Sequence, residues 1–387
     1  MADKATVASK ANATQRTQNK TIVIMAGGTG GHVFPGLAVA DELSARGWQI
    51  EWFGTEDKME AQAVPKHGYR IHFLPISGLR GKGIVRKLIM PFMLLKAVLK
   101  ARQILKQLKA DLVLGMGGYA SGPGGIAAYT LRLPLVLHEQ NAVFGMTNRY
   151  LSKIADEVLC GFDVSINQAQ SKAPKRCRFV GNPIRASFSE VSELSIRKHT
   201  SRKPVNILVV GGSLGALALN EQLPQIFTDQ HAHTPLAIKH QSGKGKSQAL
   251  IERYQSLGLD AEVLEFIEDV QAAYDWADLV ICRAGALTVA EVAAAGRPAI
   301  FVPLPIAVDD HQSMNANYLV MQEAAFVVQQ KQLKQELPMH LKILCENEAL
   351  RNDMAKKARS LAKMDAAKHV ADLCESLAEQ DTKEGSQ

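Results

Sequence analysis

The sequence predicts an α/β protein made of two Rossmann-like halves in tandem, each built on a parallel sheet. Three observations carry that prediction. Short apolar runs alternate with segments long enough for helices, a strand-to-helix glycine turn stands at Gly27-Gly28-Thr29-Gly30-Gly31-His32, and a second, Gly211-Gly212-Ser213-Leu214-Gly215-Ala216, begins 184 residues further on. Alternation of this kind argues for open parallel sheets covered on both faces. The chain's 387 residues allow two or three domains, and 47% apolar with 21% charged residues is an ordinary globular composition, which excludes disorder, collagen and a disulfide scaffold for the bulk of it.

The elements follow in order. Residues 1–20 are polar, lack the apolar core of a signal peptide and read as a disordered leader. Thr21–Ala26 is a short strand ending in the first glycine turn, and a helical pattern through Leu37, Val39, Ala40 and Leu43 stops at Gly47. Further strands are expected at Ile50–Phe53, Leu112–Leu114, Leu135–Leu137 and Glu157–Cys160, giving a first domain over 21–184. The polar stretch Arg185–Lys203 is the expected joint. A second domain over 185–362 then opens with Val205–Val210 and continues through Leu236–Ile238, Glu262–Phe266, Leu279–Cys282 and Ala299–Val302. The Ala-, Lys- and Glu-rich stretch Asn347–Ala378 predicts a helix, and its end, about 363–380, is expected to complete the first domain.

Charge and cysteines narrow the class. The net charge is +7, yet Ile71–Ala110 holds nine Lys and Arg and no acid, so the rest of the chain is slightly negative. Within that stretch Ile84, Leu88, Phe92, Leu95 and Leu99 recur at helical spacing, with Pro91 expected to mark a break or a helix start. Such a face suits an anionic lipid surface, the alternative being a stripe packed into the domain with solvated charges around it. Phe92 is its only aromatic and no recognition motif is present, which argues against nucleic acid. Cys160, Cys177, Cys282, Cys345 and Cys374 are scattered, with no Cys-x-x-Cys pair, and read as reduced thiols. The longest uncharged run, Leu112–Leu131, carries six glycines and Pro123 and does not read as a membrane-spanning helix.

Glycine turns leading into helices expose backbone N–H groups where the helix dipole favours an anion. One such turn also serves tight packing. Three, counting Gly115-Met-Gly-Gly-Tyr-Ala-Ser-Gly-Pro-Gly-Gly125, favour phosphate or diphosphate binding. A dinucleotide fingerprint fails because Val33 stands where its last glycine belongs, and a P-loop fails because His240 precedes Gly245 by five. Asp-x-Asp is absent, which weakens a metal-bridged nucleotide site, and Asp309-Asp310-His311 reads as a solvated loop before a cation site.

The segments 27–38, Ile76–Gly83, Gly115–Tyr119, His138-Glu139-Gln140-Asn141, Gly181–Arg185, Gly211-Gly212-Ser213, His240–Lys244, Glu265-Phe266-Ile267 and Arg283–Glu291 together resemble the MurG glycosyltransferases, in that family's order and spacing. The resemblance implies a GT-B fold, two Rossmann-like domains facing a central cleft. It implies an inverting transfer of N-acetylglucosamine from UDP-N-acetylglucosamine to lipid I, giving lipid II for peptidoglycan, with no cofactor or required metal, at the cytoplasmic face of the bacterial inner membrane. A GT-B enzyme with another lipid or small-molecule acceptor is the alternative, and a catalytically silent UDP-sugar sensor a more distant one.

Residue roles follow from that resemblance. Glu291 is expected on the ribose hydroxyls, its alternative being a first-turn Glu that complements a helix dipole. Ser213 and Arg185 are expected at the donor diphosphate, Ile267 at the uracil, Gln312 at the sugar hydroxyls, and Thr29, Gly30, Gly31 and Asn141 on the donor side. Ala286, Leu287, Thr288, Val289 and Ala290 belong to the same donor set, while Gly117, Gly118 and Tyr119 are expected at the acceptor diphosphate. His32 is a candidate base, since an imidazole titrates near neutrality, or else a hydrogen-bond partner of that diphosphate. Glu139 is the rival base or a buried structural carboxylate. The amides of Gly211-Gly212-Ser213 and Arg185 are the expected stabilisers of the leaving phosphate.

Overall fold

The computed structural model describes residues 20–76, 84–164, 171–174, 176–192, 204–212, 215–305 and 310–384, with backbone only at 84–89, 189 and 381–384. Residues 1–19 of the leader, Ser213, and Arg80 and Lys82 of the basic stretch lie outside the described residues. The chain divides into two compact units, one up to Arg185 together with Asp365 onward, the other Ala186–Met364.

The first unit holds seven parallel strands: β1 (Thr21–Ala26), β2 (Gln49–Gly54), β3 (Arg70–Phe73), β4 (Leu112–Gly117), β5 (Leu135–Glu139), β6 (Glu157–Cys160) and β7 (Cys177–Phe179), ordered 3-2-1-4-5-6-7. The helices are α1 (Gly30–Ala45), α2 (Glu60–Lys66), α3 (Ile84–Leu108), α4 (Ser121–Leu131) and α5 (Met146–Leu151). Period-two alternation sorts β1 between two cores. Ile22, Ile24 and Ala26 pack with Val33, Leu37 and Leu43 of α1, whereas Val23 and Met25 pack with Ala97, Ala101 and Ala127 from α3 and α4. Pro91 neither breaks nor starts α3, which runs through it at an exposed position.

The second unit has six parallel strands ordered 10-9-8-11-12-13: β8 (Val205–Val210), β9 (Leu236–Gln241), β10 (Glu262–Leu264), β11 (Leu279–Cys282), β12 (Ala299–Phe301) and β13 (Ala325–Val327). Its helices are α6 (Leu217–His231), α7 (Ser247–Ser256), α8 (Val270–Trp276), α9 (Ala286–Ala295), α10 (His311–Val320), α11 (Leu333–Glu346) and α12 (Glu348–Ser360). The single C-terminal helix expected over 347–378 is two helices. α12 stays in the second unit, and α13 (Ala366–Glu384) packs on α1 in the first. Val370, Ala371 and Cys374 join the first unit's core, and Arg46 at the end of α1 donates to Asp372 and Glu375, each at 2.7 Å.

Candidate active site

In the first unit the strand order reverses between β1 and β4, and open α/β sheets bind ligands beyond the carboxyl ends of strands at such a reversal. A register shift after Met25 brings Gly117 opposite Ala26. Gly118, at φ +92°, sits so close to the first loop that a Cβ there would collide with the Gly27 carbonyl, an approach only glycine permits.

Thr29 occupies the N-cap position of α1 without a side-chain cap, and the N–H groups of Gly30 and Gly31 have no partner among the described residues. In the same turn His32 donates from Nδ1 to the Gly27 carbonyl at 3.1 Å. Thr29 Oγ1 also lies 3.5 Å from Nδ1. A carbonyl only accepts, so Nδ1 is the donor and, in the neutral ring, Nε2 carries the lone pair. That edge of the ring lies over Gly117, whose Cβ, if it had one, would stand 3.0 Å from Nε2.

Not every loop amide is open. The Gly28 N–H is held by Glu60 Oε2 at 2.9 Å, and the Gly117 N–H by Ser121 Oγ at 3.1 Å. Gly117 therefore enters the site through its missing side chain, while the amides of Gly118 and Tyr119 make no hydrogen bond among the described residues.

Glu139 ends β5 and is buried. Its Oε1 accepts from the backbone N–H and the Nδ2 of Asn141, at 3.1 and 3.2 Å, and its Oε2 from the Gly145 N–H and Asn148 Nδ2, at 3.0 and 2.9 Å. The carboxylate thus fixes the loop that carries Asn141. Beside it His138 lies between the Gly181 carbonyl and the Gln140 amide, and burial pushes its imidazole down to about 4. Arg185 is exposed and stacks its guanidinium 5.4 Å over the Phe34 ring.

The second unit reverses its strand order between β8 and β11. The loop after β8 turns at Gly212, φ +82°, and Gly215, φ +68°, where a Cβ would strike the Ser242 carbonyl. After β11 the N-cap residue Gly285 is extended and α9 has neither a side-chain cap nor an acid in its first turn. The N–H groups of Ala286, Leu287 and Thr288 consequently make up an open positive helix end, with Val289 N–H making the first helical bond to Gly285. Ala290 and then Glu291 follow. Glu291 is the sixth helical residue, buried in the second turn, so it does not act as a first-turn dipole partner. Burial, reinforced by the Glu291 charge, pushes the Cys282 thiol up.

Gln312 stands in the first turn of α10. Its Oε1 accepts the N–H groups of Ala284 and Leu304, at 3.3 and 3.0 Å, and its Nε2 makes no hydrogen bond among the described residues. Ile267 is buried just beyond β10, next to the exposed Phe266, and Glu265 ties that end to the neighbouring loop through Gly245 N–H at 2.8 Å. Asp310 accepts from Ser313 Oγ at 2.8 Å, a helix-start contact. Sequence reasoning missed Glu60 and Asn148, whose roles arise from partners 32 and 9 residues away.

Two parallel sheets, each with a glycine loop at its reversal point, are the architecture on which GT-B glycosyltransferases are built. Residues 22–160 match the glycosyltransferase family 28 N-terminal domain, and residues 206–370 match its C-terminal domain. A protein of Psychromonas ingrahamii called UDP-N-acetylglucosamine--N-acetylmuramyl-(pentapeptide) pyrophosphoryl-undecaprenol N-acetylglucosamine transferase is 51% identical over 360 residues, covering 92% of this chain and 99% of its own. The Aeromonas hydrophila protein of the same description is 51% identical over 361 residues, covering 93% and 98%. The crystal structure of Acinetobacter baumannii MurG is similar at TM-score 0.79 and 44% identity, covering 92% of this chain and 99% of that one. The chain belongs to glycosyltransferase family 28 and, within it, to the MurG transferases.

Proposed function

We propose that the chain transfers N-acetylglucosamine from UDP-N-acetylglucosamine to the 4-hydroxyl of the N-acetylmuramyl sugar of lipid I, with inversion and without a required metal, to give lipid II. The observation that carries this reading is 51% identity across 99% of a transferase described by that reaction. In the step itself, the acceptor oxygen bonds to the anomeric carbon as its bond to UDP breaks. The electron pair leaves with UDP, and the hydroxyl proton goes to His32 Nε2.

His32 is preferred to Glu139 as base on geometry. In the neutral ring its Nε2 carries a lone pair and makes no hydrogen bond among the described residues, whereas each oxygen of Glu139 is already held by two donors. Glu139 then acts as a positioning residue for Asn141. On the donor, Glu291 takes the ribose hydroxyls, Ile267 the uracil, Gln312 Nε2 a sugar hydroxyl, and the α9 amides with Ser213 and Arg185 the diphosphate. Thr29, Gly30 and Gly31 complete the donor set, and the open amides of Gly118 and Tyr119 take the acceptor diphosphate.

The enzyme works as a peripheral protein on the inner membrane, and among the described residues no helix is long and apolar enough to cross one. On α3 the buried face is Ala97, Ala101, Ile104 and Leu105. Phe92, Leu95 and Leu99 point away from it, 74%, 56% and 57% exposed, among the exposed Lys96, Lys100 and Lys106. An apolar stripe ringed by cations fits an anionic lipid surface. The test is transfer by purified protein to a lipid I analogue, with a simple glycolipid as second acceptor. The reading requires a β-linked disaccharide on the first and far slower reaction on the second; no product on the first defeats it.

A further inference from the structure

A buried carboxylate lies behind the base. Glu60, at the start of α2, is 1% exposed. Its Oε1 accepts from the N–H and the Oγ1 of Thr55, at 3.1 and 2.7 Å, and its Oε2 from the Gly28 N–H at 2.9 Å. With three donors and no lysine, arginine or histidine paired to it among the described residues, this is the setting of a charged carboxylate without a countercation. The Gly28 N–H belongs to the same peptide group as the Gly27 carbonyl, and that carbonyl accepts the Nδ1 proton of His32. One peptide plane therefore joins the two side chains: carboxylate to N–H on one edge, C=O to imidazole on the other. Hydrogen bonds in series polarise one another, so charge on Glu60 makes the Gly27 oxygen a stronger acceptor.

We propose that Glu60 acts on His32 through the Gly27–Gly28 peptide, holding the ring proton on Nδ1 and strengthening Nε2 as the atom that takes the acceptor's proton. Glu60 is a positioning residue in this role, and the idea rests on the reading of His32 as base. The loop glycines are what make the relay fit. Gly28 holds φ +89°, and a Cβ on Gly27 would stand 2.5 Å from Glu60 Oε1. The other charged or titratable groups on the surrounding elements are placed differently: Glu56, Asp57 and Lys58 are exposed on the loop before α2, and Lys66 and His67 are exposed at its C-terminal end. Tyr119 follows β4, Arg185 lies on Phe34, Glu51 is bound to His72, and Asp41, Glu42, Arg46, Asp372 and Glu375 cluster toward the far end of α1. Lys363, Asp365, Lys368 and His369 lie at the start of α13 or just before it.

The experiment is nitrogen-15 NMR of the histidine rings of the full chain, with His32 assigned by its loss in His32→Gln, alongside the pH profile of kcat/KM. In Glu60→Gln the midpoint of the profile's acid limb is expected to fall by about one pH unit, because a negative charge behind the base is gone. Part of the Nδ1–H signal moves to Nε2, and kcat above both midpoints drops about threefold with the weaker base. A structural carboxylate would lower the melting temperature and leave tautomer and midpoint in place, which would overturn the proposal. If Glu60→Gln does not fold, Thr55→Val replaces it: losing the hydroxyl donor weakens the hold on the charged form of Glu60, so the midpoint moves in the same direction as in Glu60→Gln, and an unmoved midpoint and tautomer overturn the relay. The two readings fail separately: an unchanged kcat in His32→Gln removes the base, while the NMR signature still reports the coupling.

Discussion

Glu139→Ala separates a positioning carboxylate from a catalytic one. The substitution strips the acceptor from four donors: two on Asn141, the Gly145 N–H and Asn148 Nδ2. Bonds to a charged acceptor are worth about 1.5–3 kcal/mol each. Water can replace the carboxylate at the exposed Gly145 and the half-exposed Asn141, but not at the buried Asn148. Asn148 Nδ2 keeps only its long 3.4 Å bond to the His138 carbonyl, and this loss together with three rehydrated donors costs about 4 kcal/mol, a drop on the order of 10 °C in Tm for a unit of this size. With the loop loosened, Asn141 no longer meets the donor in one position, so KM for UDP-N-acetylglucosamine rises about tenfold while kcat falls less. Thermal melts and initial-rate kinetics on the same preparation read both. An unchanged Tm with kcat down by a thousandfold at constant KM would refute the reasoning and make Glu139 the base.

Gly117→Ala puts a Cβ 2.9 Å from His32 Cδ2 at φ +101°, so the ring must move; kcat should fall at least about tenfold, and a value within twofold of the parent would contradict the placement of the imidazole. Stability should fall as pH drops from about 6.5 toward 4. Burial holds His138 at about 4 and His240 at about 3, so the unfolded chain binds protons in that window that the folded one refuses. Each unit carries one of these residues and loses about 3 kcal/mol by pH 4, read from urea midpoints against pH, and a flat profile over that range would count against it. Changing Phe92, Leu95 and Leu99 together to serine should weaken binding to anionic vesicles about a hundredfold, from about 1 kcal/mol per half-inserted side chain, while transfer to a short-chain soluble acceptor continues; unaltered vesicle binding would remove that face from the account.

Much of this was legible because it is periodic or local. Thr21–Ala26 and Val205–Val210 read as strands since continuous apolar runs are what doubly covered parallel strands require, and the glycine loops announced themselves by composition. The edge strands β3 and β13 were not legible, because Arg70-Ile-His-Phe73 and Ala325-Phe-Val327 are short and partly open to solvent, and β7, Cys177-Arg-Phe179, fails for the same reason. The break between α12 and α13 falls in Leu361–Asp365, a stretch whose composition differs little from its flanks. In the site, residue types were readable and their engagement was not. Nothing in the sequence says that the Gly28 and Gly117 amides are already bonded, that Glu139 is saturated by donors, or that Glu60 stands behind His32, since each depends on a contact made only in the folded unit.

The most direct measurement of the central claim is the single-turnover rate of N-acetylglucosamine transfer to a lipid I analogue by His32→Gln, taken with the dissociation constant for UDP-N-acetylglucosamine. The account predicts a rate lowered about a hundredfold or more with donor binding unchanged. A rate close to that of the parent protein would contradict it.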